Sequence, residues 1–280
     1  MLCSIVVTLW LLLPAITYFL YWYEVASGGE RSIVEGRTGR DLKYGVLLSY
    51  LTSLLTLPLI ILTYPLGWFA FREKGVEEGN SAKAMVICIH GLFHNPSAWL
   101  FFSLIARHEN LRIIYLRHNP WDGSFVEVAE KLYLQVKEAV RAQKEPVVFI
   151  GHSLGGLLAG KIALKLVAED LPVSGVITIG TPFKGSKLTV FTRGRLARSL
   201  DYNSPLVLNS YDDFRNPPFP AIQYWSPTDN MVLPPFSLYD VPDGWEERMI
   251  GPMCHVACLF WPPLLKRLCN TVTAFSESRA

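Results

Sequence analysis

Val147-Val148-Phe149-Ile150-Gly151-His152-Ser153-Leu154-Gly155-Gly156 decides how this chain folds. The first four residues, all β-branched or aromatic, read as a buried strand. Leu157, Leu158, Ile162, Ala163 and Leu166 then recur at helical spacing. Between strand and helix lies G-x-S-x-G, a sharp turn that holds its serine in strained backbone above the sheet. A side chain at Gly151 or Gly155 would collide across that turn, and Gly156 lets the helix pack close. Ser153 sits at a helix N-terminus, where free N–H groups and the helix dipole favour developing negative charge. Ser153 is therefore the candidate nucleophile and Gly151 and Gly155 form its elbow, while His152 points away from it and reads as structural support.

Working outward, short Val- and Ile-rich runs at 85–89, 112–116, 176–179 and 221–225 read as strands, with a less apolar one at 248–250. Helical patterns lie at 96–107, 125–142, 154–168 and 259–274. This alternation predicts a mostly parallel central sheet with helices on both faces, over residues 84–280. Phe125, Val128, Ala129, Leu132, Val136 and Val140 form a stripe expected to pack into the core. Residues 182–220 exceed a short connection, so 183–220 reads as a lid or acyl-binding insertion, or else as an irregular surface excursion.

A serine nucleophile needs a base and an acid, in this type of sheet in the chain order Ser, Asp or Glu, His. His255 is the one histidine after the elbow, between the last strand and the last helix, and is the candidate base. Asp229, on the turn-rich loop after the strand 221–225, is preferred as the acid to Asp240 and Asp243, which lie away from a strand end. The first strand ends in His90-Gly91-Leu92-Phe93, so the N–H groups of Leu92 and Leu154 are the candidate oxyanion donors. His90 is expected to brace that loop. His94 and His118 lie on loops at the same rim and read as exposed surface residues, with contact to substrate the alternative, and Asp122 reads as the cap of the following helix.

Two uncharged runs precede the domain. Residues 1–23, rich in Tyr and Trp toward their end, match the ~20 residues that span a bilayer and lack the basic start and cleavage site of a signal peptide. A polar connecting loop follows at 24–45, then a second apolar run at 46–71 containing Pro58 and Pro65, then a linker at 72–83. Two spans would put the N-terminus and the catalytic domain on one side of the membrane, with the Lys and Arg bias too small to choose which. The competing reading of the second run is a buried hairpin or a re-entrant loop.

A net charge of +2 with scattered Lys and Arg argues against a nucleic-acid partner. The five cysteines lack metal-site spacing and read as small core residues, although Cys258 and Cys269 could pair if the last helix folded back.

Five landmarks occur in order: His90-Gly91-Leu92, Gly151 to Gly156, Gly180-Thr181-Pro182-Phe183-Lys184-Gly185-Ser186, Ser226-Pro227-Thr228-Asp229-Asn230-Met231-Val232 and Gly251-Pro252-Met253-Cys254-His255. Over residues 84–270 they resemble the α/β-hydrolase lipases, in particular the bacterial triacylglycerol lipase and GPI inositol deacylase-like branch. The resemblance implies an α/β-hydrolase fold, carboxylic ester hydrolysis through an acyl-enzyme, and no cofactor. Ser153 matches the nucleophile, Asp229 the acid, His255 the base, and Leu92 and Leu154 the oxyanion hole. The chain departs from the pattern in reading Met253-Cys254-His255-Val256 around the base, and its lid region is short. The paired apolar runs lie outside the pattern and point to a lipid or lipid-linked acyl ester met at a membrane. The same triad would serve an acyltransferase or thioesterase; a reading of another class is a catalytically inactive membrane interaction module.

Overall fold

The computed structural model describes residues 2–69, 82–142 and 145–277, so residues 70–71 of the expected second span and most of the linker 72–83 lie outside it. Its centre is one sheet in the order β2-β1-β3-β4-β5-β6, parallel throughout. The strands are β1 (Ala84–Ile89), β2 (Leu111–Leu116), β3 (Val147–His152), β4 (Gly175–Ile179), β5 (Ala221–Trp225) and β6 (Trp245–Met249). β6 is the least apolar in sequence because it is the edge strand and leaves Glu246, Arg248 and Met249 partly or largely exposed.

Alternation along each strand divides the interior into two cores. Ala84, Val86 and Cys88 face one side with Val148, Ile150 and the helix α11 (Pro262–Glu277). Met85, Ile87 and Ile89 face the other with α6 (Phe125–Ala142) and α7 (Leu154–Val167). The stripe expected on α6 is buried as predicted. Cys88, Cys254, Cys258 and Cys269 are buried free thiols. The long stretch after β4 holds a 3-10 turn (Lys187–Phe191), α8 (Arg195–Arg198) and α9 (Pro205–Asp213).

The N-terminal part is a helical hairpin: α1 (Leu2–Ser27), α2 (Arg31–Thr38) and α3 (Leu42–Thr63), followed by the short α4 (Leu66–Phe69). The connecting segment is thus not all loop; α2 occupies its middle, ended by Gly39 at φ 62°, a left-handed cap that glycine adopts without penalty. Val7–Ser27 and Leu42–Thr63 are each long and apolar enough to cross a membrane. Past Leu42 at its start, the buried residues of α3 are small or polar, Gly45, Ser49, Ser53, Thr56 and Thr63, whereas Leu47, Leu51, Leu55, Ile61 and Leu62 are exposed. The small, polar face docks on the sheet domain. Thr52 Oγ1 accepts the amide N–H of Cys254 at 3.1 Å, Ser49 bonds Thr228, and the carbonyl of Tyr64 accepts from Asn95 Nδ2 at 2.8 Å. From α1, Tyr21 donates to the carbonyl of Pro227 at 2.5 Å and Thr17 Oγ1 accepts from Asn230 Nδ2 at 2.7 Å.

Candidate active site

β1 and β3 are neighbours, and the chain leaves them toward opposite edges of the sheet, which opens a crevice at their C-terminal ends. The elbow stands there. Ser153 has φ 56° and ψ −125°, a conformation L residues rarely hold, and it directly precedes α7. A Cβ on Gly151 would lie 2.3 Å from the carbonyl oxygen of Gly155, and one on Gly155 would lie 2.1 Å from that of Ile89. Both contacts are with backbone, which cannot give way. A Cβ on Gly156 would fall 1.9 Å from Thr181 Oγ1, and that hydroxyl itself donates to the Ser153 carbonyl at 3.1 Å.

The loop after β1 presses on the elbow from the other side. A side chain at Gly91 would reach 3.1 Å from Ser153 Cβ, so glycine keeps the space over the nucleophile open. His90 Nδ1 donates to the Gly91 carbonyl at 2.9 Å, and His118 Nε2 donates to the His90 carbonyl at 2.9 Å while the two rings stack at 4.1 Å. His90 therefore braces the loop as expected. His118 and His94, read from sequence as surface residues, are instead buried: His118 stacks on His90, and His94, whose Nδ1 bonds the adjacent backbone of Asn95, packs against the ring of Tyr64 at 6.0 Å. Asp122 does not cap α6 either; it holds Asn119 and Lys131, and the N-terminal bonds of that helix run between Ser124 and Glu127. Leu154 opens α7, so its N–H has no intrahelical acceptor, and Leu92 lines the cavity above it.

His255 and Asp229 meet in the same crevice. His255 Nδ1 lies 2.6 Å from Asp229 Oδ2, with the side chains 8% and 2% exposed. The other carboxylate oxygen, Oδ1, accepts the backbone N–H groups of Met231 at 2.8 Å and Val232 at 3.1 Å, which fixes the plane of the acid. Asp240, the alternative acid, is engaged elsewhere, with Lys184 and Tyr211. Two residues that sequence reasoning did not single out, Ser226 and Asn230, hold this pair together with His152, which it read as structural support. Ser226 Oγ donates to the carbonyl of Met253 at 2.7 Å and accepts its N–H at 3.0 Å, tying the acid loop to the base loop. Asn230 Oδ1 accepts the N–H of His255, and His152 Nε2 donates to the carbonyl of His255 at 3.1 Å. Burial, reinforced by the neighbouring His255 ring, holds His152 well below the usual imidazole range, so it stays neutral.

A cavity of about 360 Å³ opens over Ser153 and also touches His255, Gly91, Leu92 and Asn230. Pro182, Ser186, Leu188 and Thr189 close one side, which makes the start of the 183–220 segment a cavity wall. Much of the remaining wall is built by the hairpin, through Leu13, Pro14 and Thr17 of α1 and Ser53, Thr56, Leu57 and Ile60 of α3, beside Phe93, His94 and Cys254 of the sheet domain. The signal for that contribution is present in the sequence as the Gly45, Ser49, Ser53, Thr56 spacing on an otherwise apolar helix, the mark of a close-packing face.

A parallel sheet with a strained serine between strand and helix defines a class of hydrolytic α/β enzymes. The sequence profile described as "Alpha/beta hydrolase family" matches residues 86–276, and the chain belongs to that family. It is similar, at 29% identity over 157 residues and 49% of its length, to the orsellinic acid synthase armB of Armillaria mellea, but that stretch spans only 7% of the synthase. Among solved structures, its fold resembles lipase B of Aspergillus fumigatus, with a TM-score of 0.58, 15% identity, and coverage of 71% of this chain and 54% of that one. The mature lipase BlEst2 of Bacillus licheniformis aligns with a TM-score of 0.53 at 16% identity, over 70% of this chain and 96% of the lipase.

Proposed function

We propose that this protein is a membrane-associated serine hydrolase that cleaves the carboxylic ester of an acyl lipid through a Ser153-His255-Asp229 triad. The observation that carries the reading is the single cavity in which Ser153 and His255 share a wall with apolar residues of both hairpin helices. In the proposed reaction, Ser153 Oγ attacks the ester carbonyl while its proton passes to His255 Nε2, and Asp229 holds the proton on Nδ1 and balances the imidazolium. The tetrahedral oxyanion rests on the N–H groups of Leu154 and Leu92, donors of a kind worth roughly 10²–10³ in rate each. Collapse breaks the bond to the alcohol, which leaves with the proton from His255. Water then attacks the acyl-enzyme by the same steps in reverse and releases the acid.

The hairpin supplies the attachment. Gly45, Ser49, Thr52 and Thr56 of α3 meet the loops of Thr228, Pro252 and Cys254, and Tyr64 just beyond the helix bonds Asn95, so the sheet domain lies alongside the hairpin for roughly 28 Å, at ~1.5 Å per helical residue. A polar domain at hydrocarbon depth is costly. This packing favours a hairpin whose outer face is sunk into one leaflet over two spans standing clear of the domain.

The test is to label the detergent-solubilised full chain with a fluorophosphonate probe beside Ser153→Ala and His255→Ala. We expect labelling and ester turnover only in the unaltered protein, and equal labelling of Ser153→Ala would overturn the mechanism.

A further inference from the structure

The hairpin does more than attach the enzyme. Leu13 belongs to the cavity wall yet is 53% exposed, so the cavity reaches the outer surface between α1 and α3. Around that opening the surface is apolar: Leu9, Leu12 and Ile16 of α1 and Phe191 are all exposed. The polar side chains that the two helices place in the opening have their partners. Ser53 donates to the carbonyl of Ser49 at 3.1 Å, Thr56 to that of Thr52 at 2.9 Å, and Thr17 is bonded by Asn230. The unpartnered polar atoms of the cavity, His94 Nε2 and His152 Nδ1, belong to the sheet domain, whereas Leu13, Pro14, Leu57 and Ile60 of the helices offer aliphatic contact.

We propose that the cleft between α1 and α3 is the acyl-chain site, and that a bilayer lipid enters it sideways, carbonyl at Ser153 and tail between the helices. The proposal rests on the ester-hydrolase reading above. A chain moving from the leaflet into this cleft exchanges one apolar surrounding for another and never crosses water, and the outer helix faces keep the opening at the lipid. Substrate selection by chain length then lies with the hairpin, at Leu57 and Ile60, which the sheet domain alone does not supply.

The experiment uses the full chain in detergent and measures kcat/KM for p-nitrophenyl acetate, butyrate, octanoate and palmitate. Leu57→Trp and Ile60→Trp fill the cleft, and we expect the palmitate-to-acetate ratio to fall roughly tenfold or more, the scale of discrimination a hydrophobic pocket provides. Leu55→Trp, on the exposed face, should leave the ratio within about twofold of the unaltered protein. Should a tryptophan variant fail to fold, Leu57→Ala, which widens the cleft, must shift the preference toward bulkier or branched acyl groups. An unchanged ratio in the cleft variants, or an equal fall in Leu55→Trp, overturns the acyl site while Ser153-dependent probe labelling still stands. Loss of Ser153 dependence in the unaltered protein overturns the hydrolase reading and this site with it.

Discussion

His152 donates Nε2–H to the backbone carbonyl of His255 at 3.1 Å, so the residue before the proposed nucleophile holds the loop that carries the proposed base. Their rings sit 4.6 Å apart. His152→Ala removes the donor and leaves a buried carbonyl unpaired, which lets the base loop drift from the elbow. We expect kcat/KM on esters to fall roughly tenfold, since sub-ångström misplacement of a catalytic group is costly. His152→Gln, which keeps a side-chain N–H at similar reach, should recover most of it; an alanine variant as active as the unaltered protein would refute the tie.

Asp229 invites a sharper substitution. Its Oδ1 accepts two backbone N–H groups, so in Asp229→Asn the amide oxygen must stay on Met231 and Val232 and the NH₂ must face His255. His255 Nδ1 then has to accept, which puts the imidazole proton on Nε2, where it cannot take one from Ser153. The expected outcome is a loss of about 10³–10⁴ in kcat with little change in melting temperature. A variant within tenfold of the unaltered rate, measured by burst and steady-state ester hydrolysis, would show that Asp229 is not the acid.

Four buried histidines give the fold an acid limit. His90, His94, His118 and His152 are all held below the usual value of 6.5, in each case chiefly by burial, with His118 acting second on His90 and His255 second on His152. Each is neutral in the folded protein and takes a proton in the unfolded chain once pH drops through about 6.5. Below that point the unfolded state binds more protons, so stability is full above about pH 7 and declines as pH falls. Thermal unfolding at steps from about pH 8 to pH 5 should show a falling midpoint, before most carboxylates begin to titrate. A flat profile over that window would mean that these rings are not buried as described.

Much of this architecture is legible in the chain, and the exceptions share a cause. β1, β3 and β4 read as continuous apolar runs because they are buried on both faces, and the elbow reads from its own motif, although only the demand on Gly151 acts across the turn; Gly155 is constrained by Ile89 and Gly156 by Thr181. His94 and His118 mislead because their chain neighbours, Asn95, Arg117 and Asn119, are polar. Burial of a histidine is set by what another loop brings to it. The hairpin misleads in the same way: its apolar character is local and visible, but the docking of Ser49, Thr52 and Thr56 on the Thr228 and Cys254 loops is a property of two segments far apart in sequence.

Within the hairpin, the fate of one proline can be tested. Pro58 has no N–H, so the carbonyl of Leu54 loses its helical partner, and Trp10 Nε1–H fills the vacancy at 2.9 Å. This bond joins α1 to α3 beside the cleft, on the opposite side from the sheet domain's contacts. Trp10→Phe keeps the aromatic packing and removes the donor, at a cost of about 1 kcal/mol, or more where lipid replaces water as the surrounding medium. Pro58→Ala restores the helical N–H and makes the indole redundant. In a double-mutant cycle followed by thermal unfolding in one detergent, the penalty of Trp10→Phe should therefore shrink toward zero in the Pro58→Ala background. Additive effects would mean that Trp10 stabilises the hairpin by packing alone.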